Sequence, residues 1–123
     1  MSGDKNSHLR LADRPADYQK LGIDPVKVAQ FEDGQRMGTE KGRYDGWYFD
    51  AHLDDGATVV VTFYTKPIGS PNGPLAPGVT INLTLPDGRQ FDKIYGTTAD
   101  QFTASKEECD VRIGSHQIGR AHV

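Results

Sequence analysis

From Arg43 onward the chain reads as short β-strands, in parts of which apolar and polar positions alternate with a period of two, the spacing that sends successive side chains to opposite faces of a strand. The clearest case is Val79 to Leu85, with Val79, Ile81, Leu83 and Leu85 on one face and Thr80, Asn82 and Thr84 on the other. Upstream, the aromatic-rich run Tyr44–Leu53 leads into Asp54-Asp55-Gly56, a tight turn in which glycine supplies the positive φ angle. The β-branched run Thr58–Lys66 then returns as the second arm of a hairpin. Pro67 to Pro77 contains four prolines and must be a loop, because each proline lacks a ladder donor. Pro86-Asp87-Gly88 is a second turn, and Arg89–Tyr95 pairs back as a fourth strand. Cys109, Val111 and Ile113 alternate with Asp110 and Arg112 to give a fifth. Short strands separated by Gly, Pro and Asp turns predict an all-β, antiparallel sandwich or barrel.

The first 30 residues read differently. Met1 to Asp13 is polar, and Asp13-Arg14-Pro15 is a helix start, with a short helix expected from Pro15 to Leu21 and a stop at Gly22. Asp24-Pro25 repeats the start signal, but Val26, Val28 and Phe31 suit an extended segment as well, and both readings stand. At the other end, Ile118-Gly119-Arg120-Ala121-His122-Val123 resembles the translated start of a sequencing-library adapter. Residues 118–123 are therefore expected to be a non-native tail. Five strands are too few for a closed barrel, which takes about eight. The fifth strand is expected to present a free edge, and the missing C-terminal part of the same chain to complete the sheet.

Composition narrows the class of protein. The chain has 123 residues, enough for one ordinary domain, with 36% hydrophobic and 25% charged positions. A net charge of −3, with 14 basic residues scattered along the chain, argues against a nucleic-acid partner. No apolar run approaches the roughly 20 residues a transmembrane helix needs. The start lacks the apolar core of a signal peptide, and the single Cys109 cannot form an internal disulfide, so a cytoplasmic location is expected. Asn82-Leu83-Thr84 fits the glycosylation pattern, which is too short to carry weight.

The run Gly42-Arg43-Tyr44-Asp45-Gly46-Trp47-Tyr48-Phe49-Asp50-Ala51-His52-Leu53-Asp54-Asp55-Gly56 resembles the opening motif of the carotenoid 1,2-hydratase (hydroxyneurosporene synthase) and AttH-like family. Relatives typically show Glu-Trp-Trp-Tyr-Phe-Asp, so Asp45 stands for the Glu and Gly46 for the first Trp. The resemblance extends through Phe31-Glu32-Asp33-Gly34, Leu85-Pro86-Asp87-Gly88 and the stretch from Ser105 to Gly114. It implies a pair of lipocalin-like barrels holding a largely apolar small molecule, such as a polyene, carotenoid or polyketide. The implied activities are water addition to a carotenoid C=C bond or a [4+2] cyclisation. On this reading residues 31–117 form an incomplete N-terminal lipocalin-like domain behind the polar and helical segment 1–30.

Along the first strand, Tyr48, Asp50 and His52 share the face opposite Trp47, Phe49, Ala51 and Leu53. In a ligand-holding barrel that face would line the cavity, where a few polar groups orient an apolar guest. Tyr64 and Asn82 lie on the more polar faces of their strands and join the candidate substrate-binding set with Tyr48 and His52. The resemblance adds Asp45, with a shorter arm than the family's Glu. Asp50 is the candidate catalytic acid, provided that burial raises its pKa enough to protonate an alkene. The plainer reading of the same residues is a solvent face with paired, structural carboxylates. No Ser/His/Asp arrangement, phosphate loop or zinc spacing is found, and no cofactor or metal is expected. A protein that carries a lipophilic ligand without chemistry is the alternative to an enzyme.

Overall fold

The computed structural model describes residues 9–119. It is β-rich, with one short α-helix and two antiparallel sheets; among the described residues no closed barrel is formed. The helix α1 spans Pro15–Leu21 and ends at Gly22, where the sequence places it. Its cap differs from expectation: the Asp17 carboxylate accepts the Arg14 N–H at 3.0 Å, and Arg10 grips the same carboxylate at 2.8 Å. No residue of α1 is buried. The open stretch after it closes in a 3-10 turn at Gln30–Asp33.

The first sheet is a meander of four seven-residue strands, β1 (Gly46–His52), β2 (Thr58–Tyr64), β3 (Gly78–Thr84) and β4 (Gln90–Gly96), in that spatial order. Gly56 and Gly88 sit in the connecting turns with φ of 92° and 89°, a region in which a Cβ is strained. The second sheet contains β5 (Phe102–Ala104), β6 (Asp110–Ile113) and β7 (His116–Gly119). Here the expectation of five strands is corrected. The stretch expected to be a last strand with an open edge is β6, and it is paired on both sides, by β5 and by β7. Ile118 and Gly119, expected to belong to a tail, form the end of β7; residues 120–123 lie outside the described residues.

Register explains where the core sits. Trp47, Phe63, Val79 and Tyr95 form one cross-strand row on the inner face of the first sheet. The second sheet lies over this row, so that Trp47, Phe63 and Val79 are buried together with Cys109, Val111 and Ile113. Tyr95 meets His116 edge to face at 4.8 Å. Burial then falls away along the same face. Phe49 and Val61 are half-buried in the next row, Ile81 is 41% exposed there, and Phe91 in the third row is 51% exposed. One end of the inner face is therefore a core, and the other is an apolar surface without cover among the described residues.

Candidate functional site

The sequence-derived candidates are brought together in part. Tyr48, Asp50, His52, Tyr64 and Asn82 all lie on the outer face of the first sheet, opposite the core. Tyr48, Asp50, His52 and Asn82 are exposed and Tyr64 is half-buried. The Asp50 carboxylate beside Tyr48 holds that phenol above its ordinary value. Asn82 donates to Asp92 at 2.8 Å across the β3–β4 pair. Asp50 is open to solvent among the described residues, so the burial that the acid role asks for is not provided there.

Asp45 lies apart, just before β1. Its backbone is clamped to Thr65, whose N–H donates to the Asp45 carbonyl at 3.0 Å and whose hydroxyl accepts the Asp45 N–H at 2.9 Å. The carboxylate accepts N–H bonds from Met37 at 3.1 Å and Arg36 at 3.4 Å. Burial pushes its pKa up, against the opposing pull of these two donors and the Arg36 charge. Asp45 borders a cleft of about 440 Å³ that runs along β1, with Glu32, Asp33 and Arg36 at its rim and Trp47, Phe49 and Cys109 as its apolar wall. Trp47 is fixed in that wall by its indole N–H, which donates to the Asp33 carbonyl at 3.0 Å.

A second hollow, of about 300 Å³, opens on the outer face. It exists because the cross-strand row Gly46, Tyr64, Gly78, Gly96 carries a single side chain. The Tyr64 ring lies across Gly78, and a Cβ at Gly78 would overlap the phenol. Thr62 and Thr80 from the adjacent row form the floor, and Tyr44, Tyr64, Ile68 and Ile94 the walls. No ionisable carboxylate or cation lines it. Such a surface suits a neutral, largely apolar guest, with hydroxyls at hand to orient it.

Sequence reasoning found Tyr64 but missed Tyr44, Ile68 and Ile94, which only the strand register assembles. It also missed Lys66, which is fully buried and donates to the carbonyls of Glu40 at 2.8 Å and Pro71 at 3.2 Å. That ammonium ties the segment before β1 to the proline-rich loop, and so sets the position of Pro67 and Ile68 beside the hollow. Among the described residues no cluster of three or more His, Cys, Asp or Glu could hold a metal ion. No helix among them is long and apolar enough to cross a membrane. No protein-family model, curated protein or solved structure matches the chain.

Proposed function

We propose that the chain is part of a protein that binds an apolar small molecule, of the polyene, carotenoid or polyketide type, in a lipocalin-like domain. The observation that carries this reading is the outer-face hollow, whose walls are aromatic and aliphatic and whose few polar groups are uncharged hydroxyls. Completion of a barrel needs strands beyond the seven among the described residues, and further polypeptide of the same chain would be their source. The motif around Trp47 supports a relation to the carotenoid 1,2-hydratases. In an enzyme of that kind Asp50 would be the acid, once a covering element had dried its surroundings.

Fluorescence titration with a neutral conjugated polyene tests the binding reading. Ile94→Asp places a charge in the wall of the hollow at a position 76% exposed, so the fold should survive it. It is expected to weaken binding by about tenfold or more, equivalent to about 1.4 kcal/mol. A second reading places the ligand on the uncovered inner face, where Ile81 and Phe91 are exposed. In that case Phe91→Asp weakens binding and Ile94→Asp leaves it unchanged. Absence of saturable binding by the unmodified chain would refute both.

A further inference from the structure

Among the described residues the first sheet ends in two free edges, β1 and β4, and the two differ in chemistry. An open edge presents unpaired N–H and C=O groups that can pair with another strand. On β1 the outward groups can be identified. Thr65 N–H donates to the Asp45 carbonyl and Leu53 N–H to the Ala57 carbonyl, which makes Asp45–Thr65 and Leu53–Ala57 hydrogen-bonded pairs. Because such pairs recur at every second residue, Trp47, Phe49 and Ala51 direct their backbone groups to β2. Gly46, Tyr48, Asp50 and His52 direct theirs outward. Gly46 and Tyr48 border the open cleft, and Asp50 and His52 are exposed.

We infer that in the 123-residue chain β1, an edge that strands completing a barrel would otherwise occupy, is a dimerisation edge, paired antiparallel with β1 of a second copy of this chain about a two-fold axis at Phe49. Only one two-fold register uses all four outward residues of each copy. It sets Gly46 opposite His52 of the partner subunit and Tyr48 opposite Asp50 of the partner subunit. On the outer face this places a phenol across from a carboxylate, with no like charges opposed; directly opposed like charges destabilise a sheet. On the inner face Phe49 meets Phe49 of the partner subunit, and Trp47 meets Ala51 of the partner subunit, so the apolar face continues from one sheet into the other.

The equivalent pairing through β4 is disfavoured by the same rule. Leu85 N–H donates to the Arg89 carbonyl and Thr97 N–H to the Pro77 carbonyl, so Gln90, Asp92, Ile94 and Gly96 are the outward residues of β4. A two-fold pairing through all four would set Lys93 against Lys93 of the partner subunit on the inner face. A lysine on the apolar face of an edge strand is a known guard against edge-to-edge association. β4 carries that guard, and the inner-face positions of β1 are Trp47, Phe49 and Ala51, without charge. The cleft lies along this edge at Gly46 and Tyr48.

Light scattering coupled to gel filtration on the 123-residue chain reads the result directly. The expected molar mass is twice the 13.5 kDa of the chain. Asp50→Pro removes an outward N–H and leaves the β1–β2 ladder complete, so it should return the mass to that of one chain without loss of the β-sheet dichroism. The axis is tested by Phe49→Cys in a Cys109→Ala background. Across the axis the two Phe49 positions form a non-hydrogen-bonded pair, with Cα atoms about 4.5 Å apart, within disulfide reach. Oxidation should link the copies through Phe49→Cys and not through Ala51→Cys. A monomer at tens of micromolar, an open-ended series of oligomers, or a dimer that survives Asp50→Pro would each overturn the inference. The mass is read without ligand, so its outcome stands apart from the binding proposal.

Discussion

At the scale of single residues, Asp45 shows how position overrides residue type. In the sequence it is one of several acids before an aromatic strand. In the structure its backbone closes the β1–β2 ladder through Thr65, and its carboxylate faces two backbone donors while losing water. Burial is the larger effect, so its pKa is raised above 3.8 in the folded chain. A raised carboxyl pKa means that the folded state holds the proton more tightly than the unfolded one. The resulting stabilisation is complete in acid, below the unfolded value, and is lost as pH rises through the folded value. Asp45→Asn abolishes this titration while keeping an acceptor for the Met37 N–H. Relative to the parent, the variant should therefore gain stability between pH 3 and pH 7, measured as the shift in urea midpoint. A relative loss over the same range would mean that the two N–H bonds outweigh burial. Lys66 was illegible for a related reason. A lysine followed by proline reads as a solvated strand end, and its burial depends on carbonyls 26 and 5 residues away.

At the scale of elements, much of the chain was legible because its signals are local. β3 announces itself by alternation, β1 by its aromatics and β2 by its β-branched residues, and the turns between β1 and β2 and between β3 and β4 by an acid followed by glycine. The short strands β5 and β7, of three and four residues, hold too little periodicity to be read. Phe102 and Ile118 make sense only against Val111 and Ile113, across strand pairs that the sequence does not mark. The outer-face hollow failed to show for the same reason, since Tyr44, Ile68 and Ile94 converge only through register. Trp47 illustrates how elements are joined: it is 8% exposed, 6.4 Å from the Phe102 ring, and hydrogen-bonded to Asp33. It thus links β1, the second sheet and the 3-10 turn. Trp47→Ala should lower unfolding free energy by about 3–5 kcal/mol. Trp47→Phe retains most of the packing but orphans the Asp33 carbonyl and should cost less, about 1–3 kcal/mol. Chemical denaturation followed by far-UV dichroism measures both, and equal losses would show that the hydrogen bond, not the packing, holds the elements together.

At the scale of the whole molecule, stability is concentrated where the two sheets meet. Trp47, Phe63 and Val79 from one sheet and Cys109, Val111 and Ile113 from the other form the buried cluster. The N-terminal segment stands outside it. Leu9, Leu11, Val26 and Val28 are between 79% and 105% exposed, and α1 buries nothing. Its internal contacts are the Arg10–Asp17 ion pair and the Arg14 cap, both at the surface. The Arg10 bond to Asp17, aided by the Arg14 N–H, lowers the carboxyl pKa to about 2, so this local support is lost only as pH falls through that value. Exposed ion pairs of this kind contribute little to a global transition. Deletion of residues 1–22 should therefore leave the unfolding free energy of the sheets unchanged to within about 0.5 kcal/mol, the range of surface substitutions away from buried contacts. A larger loss would require the apolar side chains of that segment to rest on the uncovered rows of the inner face in solution. Phe91→Asp separates the two cases, because an inner face that already holds the segment would respond to the new charge only in the full-length chain.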